Sequence, residues 1–381
     1  MFSRRRISLL LVFIVCFSAF CVPTSSAAFV SLDVSAQSAV LLDANSGDVL
    51  FSKNENERLP MASTTKIMTA LVAIENSDIA DTVSVDAEAV GVEGSSVYLC
   101  EGELLTMENL LYALLLASAN DAAATIAIAV AGSIEAFADM MNAKAEDLGL
   151  ENTHFENPHG LDSETHYTSA LDLAKLTAEA LKNETFSKIV STYKTTIPMN
   201  SGTRVLINHN KLLRTYKGAI GVKTGFTKRS GRCLVSAAER DGLKLIAVTI
   251  NAPNDWQDHT AMLDCGFAAY KKLVALGDTE YTVSLPVING KDQTVLCSNV
   301  SQISATVPSN IGIENCTFTI KMPHFLYAPV EKGDKIGTIV CSFDGKVIGE
   351  SDILSQYSVE AVVYKKSIWQ RICDFFLGIF S

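Results

Sequence analysis

Residues 218–239 read GAIGVKTGFTKRSGRCLVSAAE. Two strand-like pieces, 222–224 and 233–238, flank a polar, glycine-bearing turn, and a third follows at 245–250. Lys223 lies inside the first piece, with Gly221 and Gly225 close on either side. Glycines in a strand let another backbone approach closely, so a charge between them marks an edge that receives a ligand. The plainer reading is an edge lysine that discourages pairing with other chains. Upstream, 38–53 reads SAVLLDANSGDVLFSK, two apolar runs about a turn, which predicts a hairpin. A helix is expected after Pro60, with Ile67, Ala70, Leu71 and Ile74 at helical spacing. From Thr106 to Leu148 the pattern is helical, broken at Ser118-Ala119-Asn120 and at Gly132, and Gly149 is a natural C-cap. The run LLYALLLA is apolar nearly all round and should be deeply buried. Further helices are expected over 171–182 and over 261–275, the latter ending at Gly277. Strands therefore open and close this region while helices fill its middle. That predicts an α/β layered domain whose sheet joins both chain ends, with a helical lobe inserted.

From about residue 280 to 363 the character changes. Short β-type runs such as YTVSLPVI and KIGTIVCSF alternate with turn residues, as in a small all-β module. The two ends are different again. Arg4-Arg5-Arg6, an apolar run over 7–20 and Ser26-Ala27-Ala28 read as a cleaved secretory signal, against the alternative of a retained signal anchor. The last stretch, SIWQRICDFFLGIFS, places Ser367, Gln370, Arg371, Asp374 and Ser381 in one sector of a helix and aromatic and aliphatic residues over the rest. At about 1.5 Å per residue it is about 22 Å long, short of a bilayer span. It is expected to lie in the membrane interface, or else to dock on the β module. The expected division is thus a signal peptide over 1–28, a catalytic domain over 29–277, a β-sandwich over 278–364 and an amphipathic anchor over 365–381.

The 381 residues carry 42 acidic against 31 basic side chains, a net charge of −11, which argues against a nucleic-acid partner. Of nine cysteines, two fall in the signal and seven are scattered, with no Cys-x-x-Cys pair. They read as small buried core residues, and metal and thioredoxin-like sites are not expected. His159 and His166 lack a second ligand pair at helical spacing, so no metal and no cofactor is expected there either.

Ser63 and Lys66 lie three residues apart in RLPMASTTKIMTA, residues 58–70. On a helix those positions share a face, so the amine can reach the hydroxyl and, if neutral, take its proton. Burial, a nearby cation and the positive end of the helix dipole all favour the neutral amine. Taken alone, Ser63 could equally be an N-cap. The spacing is common: Ser191-Thr192-Tyr193-Lys194 repeats it. Ser118 and Asn120 sit where two helical patterns meet, positioned either to face a cleft or to cap the helix that follows, and Ser52-Lys53-Asn54 has the same form. Lys223-Thr224-Gly225 is the chain's one Lys-Ser/Thr-Gly.

Ser-x-x-Lys, Ser-x-Asn and Lys-Thr-Gly in this order, on helix start, inter-helix turn and strand, form the signature of penicillin-binding proteins and serine β-lactamases. Over about 36–364 the chain resembles the low-molecular-mass D-alanyl-D-alanine carboxypeptidases. MASTTKIMTA, LLLASANDAA, NPHGLDSETHYTSALDLA and GVKTGFTKRSGRCLVSAA carry the likeness. The resemblance implies a transpeptidase fold, an antiparallel sheet flanked by helices with a helical lobe, followed by a small all-β domain. It implies that Ser63 attacks the D-Ala-D-Ala bond of the peptidoglycan stem peptide, that Lys66 takes its proton and that Ser118 relays protons to the leaving amine. Asn120 would hold the substrate backbone or Lys66. Lys223 would supply charge, and Thr224 and Thr227 would serve the terminal carboxylate. The backbone around Gly225 would border the substrate, and the N–H groups of Ser63 and Phe226 would form the oxyanion hole. Penicillin would acylate Ser63. A β-lactamase and a catalytically silent wall-binding protein of the same fold are the alternatives. Two departures stand out. The family's frequent arginine after the Lys-Thr-Gly strand is missing from TINAPNDWQDHTAML, and His209 stands where another arginine is often seen.

Overall fold

The computed structural model describes residues 32–200, 202–363 and 368–369. The expected signal peptide, and the expected anchor helix apart from Ile368 and Trp369, lie outside the described residues. Among the described residues no single helix is long and apolar enough to cross a membrane.

Five strands form the central sheet: β1 (Ser38–Asp43), β2 (Val49–Lys53), β3 (Ala219–Thr227), β4 (Gly231–Arg240) and β5 (Leu243–Ile250). Their order is β2-β1-β5-β4-β3, antiparallel throughout. The first strand pairs with the last, so the sheet joins both ends of the domain as the strand pattern predicts. The inner strands are apolar on both sides because both faces are covered. Val40, Leu42, Ile246 and Val248 pack toward the helical lobe, while Ala39, Leu41, Leu245 and Ala247 face the opposite layer. β3 is an edge, with Lys223 at its middle opposite Val235.

The lobe comprises α1 (Lys66–Asn76), α2 (Met107–Leu116), α3 (Asn120–Ala131), α4 (Ile134–Asp147), α5 (Ala170–Ala180) and α6 (Glu184–Ser191); α7 is the single turn Leu212–Thr215, and α8 (Asp255–Ala269) covers the other sheet face. Most lobe helices start as their sequences prescribe. Thr106, Ser133, Ser169 and Asn183 each accept from the backbone N–H three residues on. Gly149 (φ +64°) ends α4 with the amides of Gly149 and Leu150 donating to the carbonyls of Glu146 and Ala145. α2 buries Leu110, Leu111, Leu114, Leu115 and Leu116, which is why that segment is apolar nearly all round.

The helix expected to run to Gly277 stops at Ala269. Tyr270–Leu276 is instead a strand, antiparallel to Ile303–Pro308. Its inward and outward residues alternate only roughly, and the mixed run YKKLVAL suits either period. The β module adds a six-stranded sheet with a core of Leu285, Val295, Cys297, Ile339, Cys341 and Ile353. The six cysteines among the described residues are all free thiols; Cys233, Cys297 and Cys341 are buried, and Cys100 is exposed.

Candidate active site

Three pieces of chain meet at the β3 edge. A 3₁₀ turn, Ala62–Thr65, leads into α1 and packs on β3. Contact this close requires Gly225: a Cβ there would stand 3.0 Å from the Ser63 amide nitrogen and 3.1 Å from the Ala62 Cβ. On its other side the turn meets Gly160 (φ +88°), where a Cβ would fall 1.9 Å from the Ala62 carbonyl oxygen. Ala62 (φ +49°) and Ser118 (φ +60°) both hold left-handed backbone, costing on the order of 1 kcal/mol each. Neither Ser63 nor Ser118 serves as a helix cap. The residues preceding α1 and α3 are Thr65 and Ala119, and neither makes a side-chain cap bond. The hydroxyls of Ser63 and Ser118 are thereby left for other partners.

Lys66 is fully buried. Its Nζ lies 3.0 Å from Ser63 Oγ, 2.7 Å from Asn120 Oδ1 and 2.6 Å from the His159 carbonyl oxygen. Asn120 donates through Nδ2 to the Glu93 carbonyl, which turns its Oδ1 toward the lysine. Burial, and after it the Lys223 ammonium, hold Lys66 well below the usual lysine range, with Asp121 opposing. A neutral amine has two N–H groups and one lone pair. The two carbonyl-type oxygens can only accept, so they take both N–H groups. The lone pair is left facing the Ser63 hydroxyl.

Lys223 is also buried; it donates to Ser118 Oγ at 2.9 Å and to the Thr224 carbonyl at 2.8 Å, and burial pushes it down to about 7. Asp121 accepts from Ser96 Oγ and from the Val97 and Leu99 amides, pinning the 95–99 loop over the start of α3. The buried histidines are scaffold. His166 Nδ1 accepts from the Glu156 amide, so its Nε2 proton points at Thr65 Oγ1, 2.8 Å away, and Thr65 donates to the Ala62 carbonyl.

Ser63, Ser118, Thr224, Gly225 and Phe226 line one cleft of about 370 Å³, with Lys66, Asn120 and Lys223 bonded behind its wall. Thr227 stands apart, bonded to Asp162 and Ser230. Four features were not legible beforehand: the His159 carbonyl, Asp121, Arg232 and the pair Asp255–Trp256. A backbone carbonyl has no signal in a sequence. Arg232, Asp255 and Trp256 reach the cleft only because α8 and β4 meet beside β3. The copies of the short motifs lie elsewhere: Ser191 and Lys194 are exposed, and Lys53 donates to the Val34 carbonyl.

The sequence profile of the D-alanyl-D-alanine carboxypeptidase family matches residues 23–254. The chain belongs to that family. A second profile, the C-terminal domain of penicillin-binding protein 5, matches residues 269–361. Among curated relatives, D-alanyl-D-alanine carboxypeptidase DacF of Bacillus subtilis is 36% identical over 84% of this chain and 85% of its own length. DacC of Escherichia coli is 31% identical over 92% of this chain and 91% of its own. The crystal structure of penicillin-binding protein 5 from Haemophilus influenzae superposes with a TM-score of 0.68 at 28% identity, covering 86% of this chain and 98% of that one. The carboxypeptidase fold, an antiparallel sheet with a helical lobe followed by a β module, is therefore the fold expected from the sequence.

Proposed function

We propose that this carboxypeptidase removes the terminal D-alanine from peptidoglycan stem peptides through an acyl-enzyme on Ser63, and that penicillin traps the same serine. The observation that carries this reading is the set of three partners around Lys66: in the neutral amine, Asn120 Oδ1 and the His159 carbonyl take both N–H groups and the lone pair faces the Ser63 hydroxyl. Lys66 draws the proton as Ser63 Oγ bonds to the carbonyl carbon. The N–H groups of Ser63 and Phe226 receive the developing oxyanion, a role worth about 10²–10³ in rate per donor. Ser118, bonded to Lys223, passes the proton to the leaving amine, and water then releases the acyl group. The substrate lies extended along the open edge of β3, bordered by Thr224, Gly225 and, further out, Thr227.

Incubation with labelled penicillin and with a D-Ala-D-Ala-ended peptide tests this. A lasting Ser63 adduct together with D-alanine release is expected. Rapid release of hydrolysed penicillin would favour a β-lactamase, and no adduct at all would leave a silent wall-binding protein.

The proposal includes the domain division: signal over 1–28, catalytic unit from 29, β unit to 364. The strand Tyr270–Leu276, which bonds to Ile303–Pro308, is counted with the β unit. It also places the enzyme outside the cytoplasm, held to the membrane surface by the amphipathic 365–381 segment. Trimming the chain at Lys365 should abolish recovery with floated vesicles; equal recovery would remove the anchor.

A further inference from the structure

Arg204 is a nearly buried cation outside the cleft. It lies on the second strand of the hairpin formed by Lys194–Met199 and Gly202–Ile207. Its guanidinium turns away from the hairpin and spends four of its five N–H groups on one distant stretch of chain. Nε donates to the Val97 carbonyl at 2.9 Å. Nη2 donates to the Tyr98 carbonyl at 3.1 Å and to Glu103 Oε2 at 2.9 Å, and Nη1 donates to Glu103 Oε1. The fork is thus bidentate on the carboxylate and also grips two carbonyls. The pair is closed to solvent, with the Arg204 side chain 10% exposed and that of Glu103 1%. Glu103 Oε2 also accepts from the Cys100 amide at 3.2 Å. The Arg204 hydrogen bond, ahead of any other group, holds the Glu103 carboxyl below the usual carboxylate range. Arg204 therefore ties down the far half of the segment 93–103.

The near half of that segment closes on the site. The Glu93 carbonyl accepts from Asn120 Nδ2, and the Ser95 carbonyl accepts from the Asn120 amide at 2.7 Å. Ser95 itself lines the cleft. The approach is so close that a Cβ on Gly94 would stand 2.7 Å from Asn120 Nδ2. The Asn120 side chain therefore has the segment at its Nδ2 end and Lys66 at its Oδ1 end. Asp121 fastens residues 96–99 from the α3 side, and Arg204 fastens 97–103 from the hairpin. If the segment lifts, Asn120 Nδ2 loses its acceptor and the amide is free to turn. Lys66 then loses one of its two N–H acceptors, and water enters beside it, which weakens the burial that keeps the amine neutral.

We propose that Arg204 is a positioning residue: by clamping 97–103 it holds Glu93 and Ser95 on Asn120, and so keeps Lys66 dry and aimed at Ser63. This rests on the acyl-transfer reading above. The test measures penicillin acylation of the full chain between about pH 5 and 9, per molecule that labels at saturation, so that a misfolded fraction cancels. It compares the wild type, Arg204→Gln, Arg204→Lys and the double variant Arg204→Gln/Glu103→Gln, with urea unfolding in parallel. Arg204→Gln should acylate about 10- to 100-fold more slowly, with its acid limb moved to higher pH as Lys66 is wetted. Arg204→Lys should recover only part of the rate, because an ammonium cannot serve two carbonyls and a carboxylate in the geometry of the fork. The double variant leaves no uncompensated carboxylate buried, so it should regain the stability lost in Arg204→Gln while keeping the slow rate and the moved limb. A wild-type rate and limb in Arg204→Gln, or their return in the double variant, would overturn this inference alone, since the pair would then serve only stability. A wild type that forms no Ser63 adduct would overturn the acyl-transfer reading, and this inference with it.

Discussion

Lys66 can act as a base only when neutral, and its surroundings set that state. Burial comes first and the Lys223 ammonium second. Both lysines lie below their ordinary range, so the unprotonated form of Lys66 grows as pH rises through its lowered value. Acylation should therefore speed up with pH on the acid side. It should slow again above about 7, where Lys223 loses its charge. Lys223→Met removes the cation that depresses Lys66, so the acid limb should move to higher pH and the alkaline limb should vanish. Penicillin acylation rates between pH 5 and 9 check this; an unmoved acid limb would contradict it. Lys66→Met should cost about 10²–10⁴ in kcat/KM, the range of a positioned general base. The same residues show how little spacing alone means. Ser191 and Lys194 share the spacing of Ser63 and Lys66 but sit exposed, away from the cleft.

At the scale of elements, the site is made by close contact between the Ala62–Thr65 turn, the Gly160 loop and β3. Gly160→Ala would drive a Cβ into the Ala62 carbonyl at a left-handed φ. The turn must then move, and Ser63 moves with it. We expect about 1–3 kcal/mol lost and acylation reduced by at least an order of magnitude. Gly149→Ala is the control: its φ is also positive, but no atom lies within 4 Å of the added Cβ. It should cost about 1 kcal/mol of stability and leave the acylation rate unchanged. Equal rates for the two variants in penicillin labelling, with denaturation followed in parallel, would refute the role given to Gly160. Expectations were most accurate for elements with strong local signals. The β1–β2 hairpin and the α2 core helix needed little more than alternation and a buried apolar run. The end of α8 was misread because AAYKKLVALG suits a helix or a strand until Ile303–Pro308 arrives to pair with it.

The whole molecule is built to keep three histidines neutral. Burial holds His159 and His259 at about 3 and His166 at about 4. His259 bridges Ser236 and Thr249 between α8 and the sheet, and His166 supports the Ser63 turn through Thr65. Their folded values lie below the 6.5 of a free histidine, so below that pH the unfolded chain binds more protons than the folded one. Stability should be full above about 6.5 and fall as pH drops toward 4, by about 2 kcal/mol per histidine on reaching pH 5. Urea unfolding at pH 7 and pH 5 measures this, and His259→Gln should shrink the difference by roughly a third. The same midpoint at both pH values would show that these burials are relieved in solution.

Residue order alone determined the layered fold, the two-part chain and the three short motifs, because alternation, helical spacing and turn residues act over a few neighbours. It also singled out Ser63, Lys66, Ser118 and Lys223, since their motifs recur in a fixed order on fixed kinds of element. Which oxygens occupy the N–H groups of Lys66 was decided only by tertiary structure. One of them is the backbone carbonyl of His159, 93 residues away. That Arg232 stands in the cleft was decided the same way. Arg232 in β4 meets Asp255 and Trp256 of α8 beside β3 only after the sheet has formed and the helix has covered it, a long-range packing event that no local pattern encodes.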